Sequence, residues 1–342
     1  MQLGKREISA KTSPLVVAEL GINHGGCINT AMSMVKLAAE SGCECIKHQT
    51  HIVSDEMTEE AKLVYPPNAE ISIWDVIDKC ALSLDDEIAL KNYTESLGLI
   101  YISTPFSRKA ADFLDDIGIC AFKIGSGEVD NIPLVNHIAS FKKPIIMSTG
   151  MQNINSLRNS TKILEKQEIS YALLECTSAY PAKPETICLR SIGELKERFP
   201  KSIVGFSDHS IGPTMAIAAT ALGAKIIEKH FTDTKYRKGP DIICSMDPSE
   251  LRYLIDKCAE VHNALQRDKV RTSEESEVYK FARSSVVAER DIKKGHIITN
   301  DDIWTRRPGN GPIAASDYPK LLGKKAKKNI KKNHQLDWDD FF

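Results

Sequence analysis

The chain has 342 residues, 42% hydrophobic and 27% charged, with a formal net charge of −1. That balance suits a globular fold long enough for two domains, and it excludes nucleic-acid or membrane binding driven by bulk charge. No run reaches the roughly 18 apolar residues of a membrane span. The first residues lack the apolar core of a secretory signal, so the expected location is the cytoplasm. The nine cysteines form no CxxC. Cys43 and Cys45 lead into a buried strand, so they read as reduced, packed thiols rather than metal ligands.

In chain order, eight short apolar runs each end in polar or ionisable residues. They are residues 15–20 (LVVAEL), 45–50 (CIKHQT), 99–104 (LIYIST), 120–126 (CAFKIGS), 144–149 (PIIMST), 171–178 (YALLECTS), 203–209 (IVGFSDH) and 225–230 (KIIEKH). Such runs read as strands buried on both faces. Helical patterns separate most of them, as in successive βα units. The class is therefore α/β, and eight units predict a (β/α)8 TIM barrel with its chemistry at the strand ends.

The first helix is expected over residues 29–40, with Met32, Val35, Leu37 and Ala38 facing the core and Ser41-Gly42 as its stop. Residues 51–84 form a long insertion, with a loop at Tyr65-Pro66-Pro67-Asn68 and one helix near 73–80. A long connection on this rim reads as a substrate loop. Further helices are expected over 85–96, 107–116, 131–141, 155–165, 187–199 and 214–222. Asp247-Pro248 opens the last one, which runs to 266. The barrel domain is thus placed at 1–268, a charged linker at 269–280, and a small second domain of short strands and turns at 281–342. The basic segment 324–332 (KKAKKNIKK) reads as a solvated strand and turn.

His209 and His230 end successive predicted strands. Adjacent parallel strands bring such ends together, so two imidazoles can face one ion, with Glu19, water or substrate completing its sphere. The plain alternative is a pair of hydrogen-bonded structural histidines. Nitrogen and oxygen ligands suit Mn²⁺, Mg²⁺, Co²⁺ or Zn²⁺.

Lys47, Lys123, Ser126, Ser148, Ser178 and Ser207 form a candidate anion site, because interior lysines need partners and the turns IGSGE and STGM let backbone N–H groups approach an oxyanion. Internal pairing of the lysines with Glu19, Glu128 or Glu228 is the plain alternative. Glu19, Glu128 and Asp241 are candidate acid–base groups, with carboxyl pKa values expected to fall beside lysines and a cation. Tyr180 and Asp241 lie on loops that either touch substrate or simply turn the chain. No GxSxG, Walker or Rossmann fingerprint occurs.

Together the stretches AELGINHGG, IKHQTH, STPFSR, FKIGSGE, STGM, CTSAYP, FSDHS, EKHFT, GPD and RRPGNG resemble the sialic acid synthase family, which includes legionaminic and pseudaminic acid synthases. The resemblance implies a TIM barrel followed by a small antifreeze-like (SAF) domain, and a domain-swapped homodimer. It implies condensation of phosphoenolpyruvate with N-acetylmannosamine to N-acetylneuraminate and phosphate, with C–O cleavage. A 2,4-diacetamido-trideoxy hexose is the alternative acceptor, because Ser178 replaces the Asn of many sialic acid synthases. By resemblance, His209 and His230 would hold a divalent ion, Mn²⁺ first and Mg²⁺ or Co²⁺ as alternatives. Lys47, Thr104, Lys123, Ser126, Ser148, Ser178, Tyr180 and Ser207 would line the phosphoenolpyruvate site. Glu19, Gln49, Glu128 and Asp241 would face the sugar, and Arg307 would reach its N-acetyl group across the dimer. A lysine Schiff-base aldolase and a non-catalytic sugar-binding barrel are the competing readings. The paired histidines disfavour both.

Overall fold

The computed structural model describes residues 1–66 and 69–342, so Pro67 and Asn68 of the expected loop lie outside the described residues. The chain divides into two compact units, Met1–Gln266 and Arg267–Phe342.

All eight apolar runs become parallel strands of one closed barrel. They are β1 (Leu15–Glu19), β2 (Cys45–Thr50), β3 (Ile100–Pro105), β4 (Phe122–Ile124), β5 (Ile145–Ser148), β6 (Tyr171–Cys176), β7 (Ile203–Asp208) and β8 (Ile226–His230). β8 pairs with both β7 and β1, which closes the ring. The strand period of two sorts the side chains. Outward positions such as Val16, Ile46 and Leu173 pack beneath the helices in one large core.

Inward positions form layers. At the bottom lie Leu15, Val17, Cys45, Ile102, Ile146 and Ile226, capped by Leu3 and Ile8 of the N-terminal segment. One pleat further along, the same strands present Glu19, Lys47, Thr104, Lys123, Ser148, Ser207 and Glu228, all buried. The apolar floor thus seals the barrel and leaves the polar layer only one way out, towards the strand ends.

Eight helices follow the strands: α1 (Ile28–Glu40), α2 (Leu84–Ser96), α3 (Arg108–Asp116), α4 (Ile132–Ser140), α5 (Leu157–Lys166), α6 (Ser191–Arg198), α7 (Thr214–Ala221) and α8 (Pro248–Ala264). Polar N-caps start several of them. Ser107 accepts from Ala110 N–H, Asn131 from Leu134 N–H, and Asp247 with Glu250 makes a reciprocal capping box. The insertion carries the expected helix at Ile73–Cys80, joined by a single turn at Val53–Glu56.

Two expectations change. α6 begins at Ser191 rather than 187, because Ile187 and Leu189 pack, partly buried, against the core from an irregular segment. Residues 269–280 are not all linker either, since Ser276–Ala282 is helical.

The second unit pairs strands Ser285–Ala288 and Ile303–Arg306 antiparallel around a small core of Val286, Ile298, Ile303, Leu321, Ile330 and Leu336. Buried Asp302 anchors it, accepting hydrogen bonds from Arg290 Nε at 2.7 Å, His296 Nε2 at 2.8 Å and Thr299 N–H at 2.8 Å. The basic segment finds acidic neighbours, with Lys328 2.6 Å from Asp340 and Lys331 3.0 Å from Asp291. No helix among the described residues is long and apolar enough to cross a membrane.

Candidate active site

The polar layer opens into a cavity of about 340 Å³ at the strand ends. Glu19, Lys47, Gln49, Thr104, Lys123, Ser126, Ser148, Ser178, Tyr180, Ser207, His209 and His230 line it, joined by Phe106, Met151, Cys176 and Glu228. Parallel pairing makes these neighbours. Glu19 sits beside Lys47 on β1 and β2, Gln49 beside Thr104, Cys176 beside Ser207, and His230 beside Glu19.

Charge is balanced inside the cavity. Lys47 Nζ lies 2.8 Å from Glu19 Oε2 and 3.7 Å from Glu228 Oε1, and donates to Thr104 Oγ1 at 3.3 Å. Lys123 Nζ and Ser207 Oγ donate to Glu228 Oε1 at 3.2 and 3.1 Å. The internal pairing weighed from the sequence is therefore present, through Glu19 and Glu228. Two buried ammonium groups without such partners would cost on the order of several kcal/mol each.

Burial would lower Lys47, but Glu19 and Glu228 outweigh it and hold this ammonium above its usual pKa. Burial pushes Lys123 down, only partly offset by Glu228. Burial would raise Glu228, but Lys123 and Lys47 keep it below the ordinary range. For Glu19 burial wins, and its carboxyl is raised. Asp241 is pushed up to about 6, again chiefly by burial. Among the protein's own groups, removal from water thus outweighs the neighbouring cationic side chains at Glu19 and Asp241.

Several polar atoms in this cluster have no partner among the described residues. Ser148 Oγ and Glu228 Oε2 are buried and unbonded. Gly150 keeps space open beside them. A Cβ there would lie 2.2 Å from Ser178 Oγ and 2.8 Å from Ser126 Oγ. Hydroxyls, ammonium groups and a side-chain-free turn therefore surround a space of the kind an oxyanion fills.

The imidazoles stand at the mouth, ring centroids 5.5 Å apart. His209 Nδ1 donates to Thr177 O at 2.9 Å, which turns Nε2 to the cavity. Cys176 Sγ lies 3.8 Å from the same Nδ1. Burial would lower His209, but Cys176 and the Thr177 carbonyl outweigh it and raise the ring above its ordinary value. His230 is driven well below its ordinary value by burial, reinforced by His209 and Lys47, so it is a neutral donor. Its Nδ1 is buried and unbonded, 3.8 Å from Asp241 Oδ2. Gly21 (φ +51°) brings the β1–α1 turn against this ring, where a Cβ would lie 3.1 Å from it. The two rings could present nitrogens to a cation whose other ligands are oxygens; among the described residues no group of three or more His, Cys, Asp or Glu is arranged to hold one.

Two proposed residues do not line the main cavity, and a third belongs to the second unit. Asp241 touches it only through His230. Glu128, partly buried on the turn Ser126–Glu128, accepts from Asn131 Nδ2 at 2.6 Å. It lines an adjoining cavity of about 500 Å³ with Asp55, Glu56, Arg108 and His137, and Phe106 borders both spaces. Its turn swings the side chain towards the start of α4. Arg307 is exposed in the second unit, just after Ile303–Arg306. Glu228 is the reverse case, named from the sequence only as a lysine partner. Its place two residues before His230 gives it the same inward face.

A closed parallel barrel with a buried lysine–carboxylate layer under paired imidazoles defines a TIM-barrel enzyme site built for anionic substrates. Residues 34–270 match the model of the NeuB family, and residues 283–341 match the SAF domain. The chain is 36% identical to N,N'-diacetyllegionaminic acid synthase of Campylobacter jejuni, over 94% of this chain and 98% of that protein. It is 31% identical to human N-acetylneuraminate-9-phosphate synthase, over 91% and 88% of the two chains. The crystal structure of N-acetylneuraminic acid synthetase from Leptospira borgpetersenii, in complex with citrate, superposes with a TM-score of 0.75 at 27% identity, covering 81% of this chain and 94% of that one. This chain belongs to the NeuB family, with an SAF domain after its barrel.

Proposed function

We propose that this enzyme condenses phosphoenolpyruvate with the open-chain form of an N-acetylated amino hexose, releasing phosphate and a nonulosonic acid. The observation that carries this reading is the single cavity in which Lys47, Lys123 and unpartnered Ser148 lie beneath His209 and His230. Lys47 and Lys123 balance the ligand's carboxylate and phosphate, Thr104, Ser126, Ser148 and Ser178 donate to their oxygens, and Ser207, whose hydroxyl donates to Glu228, lines the site beside them. Tyr180, its ring tilted 32° to that of His209 with centroids 4.1 Å apart, walls the mouth. C3 of the enol phosphate is thereby aimed at the acceptor's aldehyde carbon. As that bond forms, positive charge develops at C2 beside Glu19 and Glu228, whose carboxylates stabilise it. Water adds at C2, one of its protons passes by way of a cavity carboxylate to the new alkoxide, and the tetrahedral centre collapses to the ketone, its hydroxyl proton leaving with phosphate as the C–O bond breaks.

His209 and His230 would hold a divalent cation, Mn²⁺ first, which when bound polarises the aldehyde oxygen. Gln49 and Glu19 face the acceptor, with Asp241 behind His230. Glu128 lines the adjoining space, where Asp55 and Glu56 add two further carboxylates. N-acetylmannosamine is the first acceptor. A 2,4-diacetamido-trideoxy hexose is the second, supported by the 36% identity to a legionaminic acid synthase. Arg307 would complete the acceptor site across a domain-swapped homodimer.

The test is phosphate release from phosphoenolpyruvate with a panel of N-acyl amino sugars, with and without Mn²⁺. Acceptor-dependent release lost in His209→Ala and His230→Ala supports the reading. Metal-independent wild-type turnover in either variant contradicts the ion assignment. Borohydride trapping of a pyruvate adduct would favour a Schiff base instead.

A further inference from the structure

His51 lines no part of the main cavity, yet it is tied to two residues that do. It follows β2 directly and is buried. Its ring stacks on Phe106 at 4.6 Å and 11°. Its Nε2 is 3.2 Å from Gln49 Oε1, and its Nδ1 is 2.8 Å from Glu56 Oε2 on the short helix of the insertion. Gln49 Nε2 in turn donates to Glu19 Oε1 at 3.0 Å.

The polarity of this chain is fixed by what each atom can do. A carboxylate only accepts, so the Gln49 amide must turn its NH₂ to Glu19 and its oxygen to His51. Reversing that amide would set its oxygen against the Glu19 carboxylate. His51 Nε2 must then donate. Its Nδ1 lies against a second carboxylate, that of Glu56. The ring bridges the insertion and β2 through both nitrogens, with Phe106 fixing its plane.

We propose that His51 is a positioning residue for the acceptor side of the site: clamped by Glu56 and Phe106, it locks the Gln49 amide and, through it, the Glu19 carboxyl. Without this donor the Gln49 amide is free to rotate, and Glu19 loses the hydrogen bond that holds Oε1 while Lys47 holds Oε2. Both residues stay in place as chemical groups but lose their fixed aim. The anion cradle of Lys123, Ser148 and Ser207 makes no contact with His51 and keeps its geometry. The inference rests on the proposed reaction for its kinetic readout, but not for its structural one.

The experiment uses the full-length protein with phosphoenolpyruvate, Mn²⁺ and the best acceptor of the panel. His51→Phe keeps the stacking on Phe106 and removes both ring nitrogens. It should lower kcat/KM for the acceptor by about 10- to 100-fold while the KM for phosphoenolpyruvate stays within about twofold. His51→Gln places an amide N–H near the lost Nε2 and should return to within about threefold of the wild type. His51→Leu, a second donor-free variant, replaces His51→Phe if that protein does not fold. Wild-type kinetics in the donor-free variant, an equal loss for both substrates, or failure of His51→Gln to rescue would each overturn the proposal. If the wild type itself releases no phosphate with any acceptor, the reaction reading fails. A crystal structure of the donor-free variant then decides the positioning role: a rotated Gln49 amide supports it and an unmoved one overturns it.

Discussion

Single side chains in this barrel are set by what surrounds them in the fold more than by their type. Glu175, next to the cavity-lining Cys176, is the clearest case outside the site. It is 7% exposed, and burial pushes its carboxyl up to about 7, with Ser191 only partly offsetting this. A raised acid pKa means that the folded state keeps its proton after the unfolded chain has lost it. Stability therefore falls as pH rises from about 4.5 to about 7 and levels off above that. Glu175→Gln should flatten this slope and stabilise the protein by up to about 3 kcal/mol at pH 8. Urea unfolding at pH 5 and pH 8 measures it, and an unchanged slope would contradict the assignment. The residue types of the cavity were legible in the sequence because strand ends and the period of two place Lys47, Lys123, Ser148 and His230 inward. The signs of the Glu19 and Asp241 shifts were not legible. They depend on desolvation, which appears only once the cavity is closed. His51 lies in the IKHQTH stretch, but nothing in the sequence marks its role, since its partner Glu56 joins it only through the folded insertion.

At the scale of elements, the strand series was readable because each run is short, β-branched or aromatic, and bounded by turns. Helix starts were readable where a cap marks them. Asp247, Pro248 and Glu250 put a capping box, a fixed φ and an acidic first turn at the start of α8. Asp247→Ala should lower stability by about 1 kcal/mol and leave the KM for both substrates unchanged, measured by thermal unfolding and steady-state kinetics. The sequence extends α6 too far because apolar spacing reports packing, and Ile187 and Leu189 pack against the core, partly buried, without being helical. The helix Ser276–Ala282 was missed because its exposed residues carry no apolar period. The β1–α1 turn shows an element acting on the site from outside. Gly21 leaves room for the His230 ring, and Asn23 Nδ2 bonds Phe231 O at 2.9 Å just beyond it.

For the whole molecule, the change from strand–helix alternation to short strands near residue 281 marked the second unit in the sequence. What that unit does was carried only by resemblance. Under the proposed assembly, Arg307→Ala raises the KM for the acceptor by about 10-fold and leaves that for phosphoenolpyruvate within about twofold. Equal effects on both substrates would place Arg307 elsewhere in the chemistry. The central claim is that one barrel mouth joins an enol phosphate to an aldehyde and breaks the C–O bond. Phosphoenolpyruvate carrying ¹⁸O in its C–O–P bridge tests this most directly. The account predicts that all of the bridging label leaves in phosphate, one phosphate per acceptor consumed and none without acceptor. Phosphate free of the label, or released at the same rate without acceptor, would contradict it.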